Sequence, residues 1–461
     1  MTNTGYKTWS ERLGLVPGEG SITLASGVYF LLIILVYYVL KPLRESLALE
    51  LGSENVPLLN VLSMISLIPA NALYSLVVSH FRREVFIPTL TRLCAFSLII
   101  FWMIFRDIAA AETRLDSFLS PRALSIAGYY IWVNLFGLFM VSMFWSFMND
   151  VFSLSQGKRL YTLIGYGGCI GGLAGGVLTS QFVNLVGPAN LFLLVAFMLE
   201  PTVWLMRYIH RQCQAKRATD PAPEEPPVET APTAGEKATG WRRELSYSLA
   251  GVRLTFSSLF VALMALEMFL YTFGSTIFSY QVNALMESVI PSRGERTIYW
   301  AHMYNYINGL SLITQFFLTQ YVLRSAMPWK GLLLMPGFQL AGTLALMSNP
   351  VLAVAAATGV IRYAINYSTG RAVRELFFTP LSREEKYQAK GFIDTLIFRT
   401  GDGLASLLLF LGIRAWGKGM WIDTSVLITM LFSLPVILIM GQEFANRQKE
   451  RTEARETPPP A

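Results

Sequence analysis

The sequence predicts an all-α polytopic membrane protein with about twelve transmembrane helices in two six-helix bundles. Three observations predict it. Of 461 residues, 53% are hydrophobic and only 15% charged, and the mean hydropathy is +0.45. A soluble chain of this size needs more charge on its surface. Apolar runs of spanning length recur along the chain, and one polar stretch parts them into two sets of six. Twelve spans of about 20 residues use roughly 240 residues, which leaves room for short loops, one linker and two tails.

The apolar runs lie at 22–47, 57–79, 85–105, 124–149, 160–184, 189–208, 257–281, 299–323, 331–348, 351–370, 390–411 and 421–440. A helix is the form in which such a run satisfies its own backbone in lipid. Between 209 and 256 the composition changes. The stretch Ala218–Gly240 is rich in Pro, Glu, Ala and Thr, cannot bury a core and is expected to be disordered. Trp241–Thr255 is a basic amphipathic segment expected at the membrane surface. The expected domains are 1–208, an N-terminal bundle; 209–256, a cytoplasmic linker; 257–440, a C-terminal bundle; and 441–461, a cytoplasmic tail. Six spans, a linker and six spans is the major facilitator layout, two bundles around a central cavity.

The net charge of +7 follows from the loops. With a cytoplasmic N-terminus, the inside segments carry 25 Lys and Arg and the outside loops 7. That bias predicts both termini inside. It accounts for the basic balance without a nucleic-acid partner. Cys94, Cys169 and Cys213 are scattered, as are His80, His210 and His302, so neither a disulfide framework nor a metal site is expected. Met1–Gly20 is polar and shows no signal-peptide pattern. Nothing in the sequence calls for a cofactor or for an obligate protein partner.

Five cations remain inside spans: Lys41, Arg44, Arg92, Arg362 and Arg399. Each costs about 2.5–3.5 kcal/mol at a span centre, so each is a functional candidate. The acids at comparable depth are Glu45, Glu267, Asp394 and Asp402. Spacing offers a purely structural alternative. Lys41 and Glu45 are four apart and Arg399 and Asp402 three apart, so each pair can bridge along its own helix. In the two-bundle layout spans 1, 4, 7 and 10 line the cavity. Span 1 carries Lys41, Arg44 and Glu45; span 4 carries Asn134, Trp145 and Asn149 on one face. Span 7 carries Glu267 with Tyr271 one turn on, and span 10 carries Arg362 with Asn366 one turn on. The expectation is one cavity with an excess positive field, suited to an anionic substrate. Pro42, inside span 1, removes a backbone hydrogen bond and is expected to bend the helix there.

The glycines from Gly165 to Gly176 invite a phosphate-loop reading, which fails because no Gly-Lys-Ser/Thr follows and no strand precedes. Gly168, Gly172 and Gly176 recur every four residues and are expected to let helices approach closely. Without ATPase machinery the chain does not read as an enzyme, and any driving force comes from a gradient or from exchange.

Longer motifs carry a resemblance. Span 1 reads Tyr37-Tyr-Val-Leu-Lys-Pro-Leu-Arg-Glu-Ser-Leu47, followed by Gly52-Ser-Glu-Asn-Val-Pro-Leu58. Lys158-Arg-Leu-Tyr161 precedes span 5. Arg374-Glu-Leu-Phe-Phe-Thr-Pro-Leu381 is followed by Lys386-Tyr-Gln-Ala-Lys-Gly-Phe-Ile-Asp394, and then by Arg399-Thr-Gly-Asp-Gly403. In this order they resemble the bacterial and plastid ATP:ADP antiporter family, with Lys41, Arg44, Glu45, Gly52, Glu54 and Pro57 at signature positions. Arg stands at 374 and 399 where the family has Lys, and Asp402 adds an acid. The charge is kept and its geometry changed.

The resemblance implies exchange of nucleotides, ATP for ADP, across an inner membrane by alternating access. Lys41 and Arg44 on one side of the cavity, and Arg362 or Arg399 on the other, are then the phosphate ligands. Trp145 or Tyr304 stacks on a base. Glu45, Asp394 and Asp402 hold the cations of the empty site. Lys390 belongs to the same set through its motif, and Glu267, Asn134 and Asn366 through their lining positions. Two alternatives stand beside this reading. One is a carrier of another organic phosphate or anion, with or without proton coupling through Glu267 or Glu45. The other is a non-transporting sensor or scaffold.

Overall fold

The computed structural model describes residue 16 and residues 19–106, 120–219, 252–253, 255, 258–325 and 327–456. Among them there is no strand. Every one of the twelve expected spans is helical. The helices are α1 (Gly20–Ala48), α2 (Val56–His80), α3 (Arg83–Arg106), α4 (Pro121–Val151), α5 (Leu154–Val186) and α6 (Leu191–Thr219). They continue as α7 (Leu259–Val289), α8 (Arg293–Thr314), α9 (Gln320–Leu323), α10 (Leu334–Ser348) and α11 (Leu352–Ile365). The last four are α12 (Arg371–Phe377), α13 (Arg383–Gly391), α14 (Phe398–Trp416) and α15 (Trp421–Glu456). Nine of the described helices are long and apolar enough to cross a membrane. The spans expected at 299–323 and 351–370 are helical but segmented, each interrupted by a π turn.

Local signals set the helix ends. The Ser120 hydroxyl accepts from the Ala123 N–H with Pro121 at the first position of α4. Ser153 and Gln156 form a capping box on α5. Gly187 (φ 80°) closes α5 and Gly417 (φ 72°) closes α14, in a conformation that other side chains rarely adopt. Two helices overrun their expected ends. α6 continues to Thr219, past the expected boundary at 208, and α15 continues to Glu456, into the expected tail. Both extensions are rich in Ala, Gln, Glu, Lys and Arg, strong helix formers that need no lipid. The expected disordered stretch falls almost wholly outside the described residues, as does most of the amphipathic segment.

The described chain divides into two units. Unit 1 holds residues 1–50, 65–235 and 291–305, and unit 2 holds 51–64, 236–290 and 306–461. In unit 1, α1 packs along α5, and Tyr29, Ile33, Val36 and Leu40 of α1 are buried. Small residues bring these helices together. A side-chain carbon at Gly167, Gly171 or Gly175 would strike the backbone of Gly27, Leu31 or Leu35. The close approach is real, but its register is one residue earlier than the expected 168, 172 and 176. A second patch of aromatic rings, Phe101, Phe105, Tyr129 and Phe192, ties α3, α4 and α6 together. α1 runs unbroken through Pro42, and the buried Tyr129 hydroxyl donates to the nearby Leu40 carbonyl at 3.0 Å.

In unit 2, α7 packs against α11, α14 and α15. Phe260, Val261, Val373, Phe377, Ile437 and Phe444 form one core. Three π turns occur here, at Gln315–Thr319, Asn366–Gly370 and Phe392–Ile397. Thr314 bonds Ser368 at 2.7 Å and Thr319 bonds Thr369 at 3.0 Å, so two of these turns are tied by hydroxyls. Large apolar side chains such as Phe197, Phe317 and Tyr321 are exposed on the helix surfaces. Lipid is the solvent such a surface needs.

Candidate functional site

Each unit carries a cationic centre, and each is built from separate helices. In unit 1 the centre lies on the second half of α1. The residues Tyr37, Tyr38, Lys41, Arg44 and Glu45 fall within two and a half turns, and α8 supplies Tyr304. The Lys41 ammonium sits 4.2 Å from the Tyr304 ring centre, 5.6 Å from that of Tyr38 and 5.9 Å from that of Tyr37. Three aromatic faces therefore hold one cation. Among the described residues no carboxylate lies within ion-pair distance of Lys41.

The pairing suggested by spacing is not formed. Glu45 is ion-paired with Arg44, and it accepts from the Tyr304 hydroxyl at 3.1 Å. Arg44 also donates to the Asn134 side-chain oxygen and lies 4.8 Å from the Tyr130 ring. Arg44 and Glu45 are both 8% exposed, whereas Lys41 is half-buried. The i,i+4 rule lost to a tertiary partner. Tyr304 and Arg44 satisfy Glu45, and that leaves the ammonium of Lys41 available.

Arg92, another of the five span cations, is accounted for within unit 1. It donates to Glu200 of α6, an acid inside the sixth span that was absent from the expected set. Trp145 packs against Phe30, Phe144 and Tyr161. Phe30 is eleven residues before Lys41 on α1, about 16 Å along the helix. Trp145 is therefore not among the rings that hold Lys41, and Tyr304 is. The Lys158–Tyr161 motif has local roles. Arg159 pairs with Glu19 at 3.2 Å, and the Tyr161 hydroxyl donates to Asn149 at 2.7 Å. Burial alone pushes the Glu19 carboxyl up. Arg159, the Val16 N–H and Gln156 outweigh that and hold it below the usual carboxylate value.

In unit 2, Glu267 of α7 is 5% exposed and pairs with Arg374 of α12 at 3.5 Å. Arg374 lies 4.6 Å from the Tyr271 ring and donates to the Asn366 side-chain oxygen at 2.9 Å. Glu267, Arg374 and Asp394 line one cavity of about 20 Å³, room for a single water. The expected site residues Glu267, Asn366 and Asp394 thus meet around Arg374, a motif residue that the span pattern alone does not place in the site.

Arg362 is fully buried one helix away. It donates to the Ser275 and Ser279 hydroxyls and stacks 4.0 Å from the Tyr363 ring. Among the described residues it has no ion pair. Lys390 is paired with Glu375 at 2.6 and 2.8 Å, which explains the acid in Arg374-Glu. Arg399 lies 5.7 Å from the Phe398 ring and is not paired with Asp402, which accepts from Thr276 at 2.6 Å. The second pairing suggested by spacing therefore fails as well.

The Gly52–Pro57 turn lies beyond the end of α1. Gly52 (φ 86°) starts it, the Ser53 N–H donates to Glu287 at 2.8 Å, and Glu54 pairs with Lys418 at 3.3 Å. Turn geometry and these anchoring partners account for the motif, and it touches neither centre.

No protein-family profile matches the chain. It resembles ADP,ATP carrier protein 1 of Chlamydia muridarum, at 23% identity over 324 residues, 62% of this chain and 58% of that protein. It resembles ADP,ATP carrier protein 1 of Chlamydia pneumoniae at 23% over 337 residues, 64% of each chain. The match spans about three-fifths of the length of these relatives.

Among solved structures, a bacterial homologue of the human lysosomal transporter Spinster is similar at a TM-score of 0.52 and 14% identity, over 96% of this chain and 99% of the other. A D-xylose-proton symporter is similar at 0.53 and 13%, over 90% and 97%. A POT family transporter is similar at 0.55 and 11%, over 92% and 96%. The fold is therefore the all-α polytopic membrane fold of major facilitator transporters.

Proposed function

We propose that this chain is a secondary transporter that exchanges nucleotides, ATP against ADP, across a bacterial inner membrane by alternating access. The observation that carries the reading is Lys41. It is a cation inside an apolar span, with no carboxylate partner among the described residues, held by three tyrosine rings. Such a charge is costly in lipid unless an anion completes it. A phosphate oxygen supplies that anion, and Arg44 three residues on supplies a second, planar donor. Tyr304 then has two tasks. Its hydroxyl fixes Glu45, and its face holds Lys41 or stacks on a base. Arg374 and Arg362 are the corresponding cations of unit 2.

The likeness to the chlamydial ADP,ATP carriers supports the choice of nucleotide over other anions. The carrier of another organic phosphate is the second reading, and it is favoured by one feature. Arginines at 374 and 399 replace the lysines of the resembled family, which alters the shape of the anion site.

The test is exchange in proteoliposomes. Vesicles loaded with ADP should take up labelled ATP, and vesicles loaded with a sugar phosphate should not. Uptake that follows internal sugar phosphate but ignores internal ADP would replace the nucleotide reading with the second one. The cytoplasmic placement of both termini, taken from the Lys and Arg bias, is checked by accessibility of engineered cysteines at the two ends.

A further inference from the structure

Glu267 presents a chemical difficulty that points to a second activity. It is a carboxylate 5% exposed inside a membrane span, and Arg374 at 3.5 Å is the one cation paired with it among the described residues. Arg374 is at the same time the cation that lines the cavity beside Glu267. Its Nε meets Glu267 only at 3.5 Å, beyond the usual hydrogen-bond range, while its other end donates to Asn366 at 2.9 Å. If an anion takes Arg374, Glu267 is left as a buried charge without a partner. A buried carboxylate in that position takes a proton.

The surroundings supply a route for one. Glu267, which is buried, and Asp394, which is exposed, line the same cavity, which has room for one water. Asn366, which holds Arg374, and Asp394 both stand on π turns, which are frequent at functional sites because they re-aim side chains.

We propose that Glu267, Arg374 and Asp394 couple the two events. An anionic group of the substrate displaces Glu267 from Arg374, and Glu267 takes up one proton, so that the transported anion carries a proton with it. The proton comes from the aqueous phase by way of Asp394 and water in the cavity. An O–H bond forms on the Glu267 carboxylate and breaks again when the anion leaves and Arg374 returns.

Among the described residues, the other charges nearby are engaged elsewhere. Lys390 is paired with Glu375, and Arg362 is bonded to Ser275 and Ser279. Arg371 acts on Asp394. The Tyr271 phenol lies against Arg374 and within the field of Arg362 and Tyr363, and the remaining cavity lining is apolar.

This inference rests on the phosphate-transport reading, and its test separates the two. Purified protein in weakly buffered detergent solution is mixed with ADP or with pyrophosphate, and proton uptake is read with an indicator dye. Wild type should take up about one proton more per bound ligand than Glu267→Gln, a difference that cancels protons exchanged by the phosphates themselves. Above neutrality, affinity should weaken by up to about tenfold more per pH unit in wild type than in Glu267→Gln. Glu267→Asp should restore uptake, and Asp394→Asn should keep the stoichiometry while slowing it.

Thermal melting checks that the variants fold. An infrared band of a protonated carboxyl, appearing in wild type on ligand addition, gives the same answer without any variant. Binding of ADP with no proton difference and no such band would overturn the coupling alone. Proton-linked binding of pyrophosphate without ADP binding would overturn the nucleotide reading and leave the coupling standing. If neither ligand binds, both fail.

Discussion

Replacing Lys41 with Gln removes one charge from the centre of the proposed phosphate site and little else. The side chain makes no ion pair among the described residues, so no acid loses a partner. Glu45 keeps both Arg44 and the Tyr304 hydroxyl. The substitution gives up the attraction between the ammonium and the tyrosine rings, worth about 0.5–1 kcal/mol at partly exposed sites. Replacing an unpaired cation in a span by a neutral amide relieves part of the about 2.5–3.5 kcal/mol that the charge costs on insertion scales. The melting temperature of Lys41→Gln should therefore hold or rise. Binding should move the other way. A hydrogen bond to a charged group is worth about 1.5–3 kcal/mol, so the dissociation constant for ATP should rise roughly ten- to hundredfold.

Isothermal titration of purified wild-type and variant protein, with melting curves on the same samples, reads both quantities. The reasoning is refuted if ATP affinity is unchanged. It is also refuted if Lys41→Gln loses stability and the added change Glu45→Gln restores stability and transport. That pattern would mean that Lys41 and Glu45 serve each other and not a ligand.

Three further outcomes follow from the same structure. Tyr304→Phe keeps the ring over Lys41 and should change nucleotide affinity by no more than a few-fold, about 1 kcal/mol. Tyr304→Ala removes ring and hydroxyl and should cost clearly more, both read by titration. Gly171→Ala drives a carbon into the Leu31 carbonyl and should lower stability by about 1–3 kcal/mol in a melting assay, whereas Gly165→Ala, with open space around it, should not. Glu385, at the start of α13, accepts from the Ser382 N–H at 3.0 Å, which holds its carboxyl below the usual value. A lowered carboxyl stabilises above its unfolded value and loses that support as pH falls through the folded one. Protection from hydrogen exchange at the start of α13, taken relative to the unstructured rate at each pH, should therefore fall on acidification in wild type, and Glu385→Gln should remove that fall.

The helices were legible in the sequence because apolar length is a strong signal and lipid forces every span to be helical. Boundaries failed where the signal changed kind. α6 and α15 run on past the apolar run because Ala, Gln, Glu, Lys and Arg keep a helix going in water. The π turns left no mark in the sequence, and two of them place Asn366 and Asp394 at Arg374.

Charges in spans are a poor guide to their partners. Lys41 with Glu45 and Arg399 with Asp402 both satisfy helical spacing, yet partners from other helices took Glu45 and Asp402. Glu200 is inconspicuous in the sequence because it sits between apolar residues within its span, yet it neutralises Arg92. Arg374 was visible as a motif residue, but only the fold shows that it faces Glu267. The glycine stripe packs helices, as its spacing implies. Its register was off by one because several overlapping small-residue series run through Gly165–Gly176, and only the partner helix selects among them.

The central claim is that this protein binds the phosphates of a nucleotide. The most direct measurement is ligand-induced thermal stabilisation of the purified wild-type protein by ATP, ADP and adenosine, each at one concentration. Ligand at about 100 times its dissociation constant stabilises by about 2.7 kcal/mol, a readable shift. The account predicts clear stabilisation by ATP and ADP and little or none by adenosine. Equal stabilisation by all three, or none by the phosphorylated pair, would contradict it.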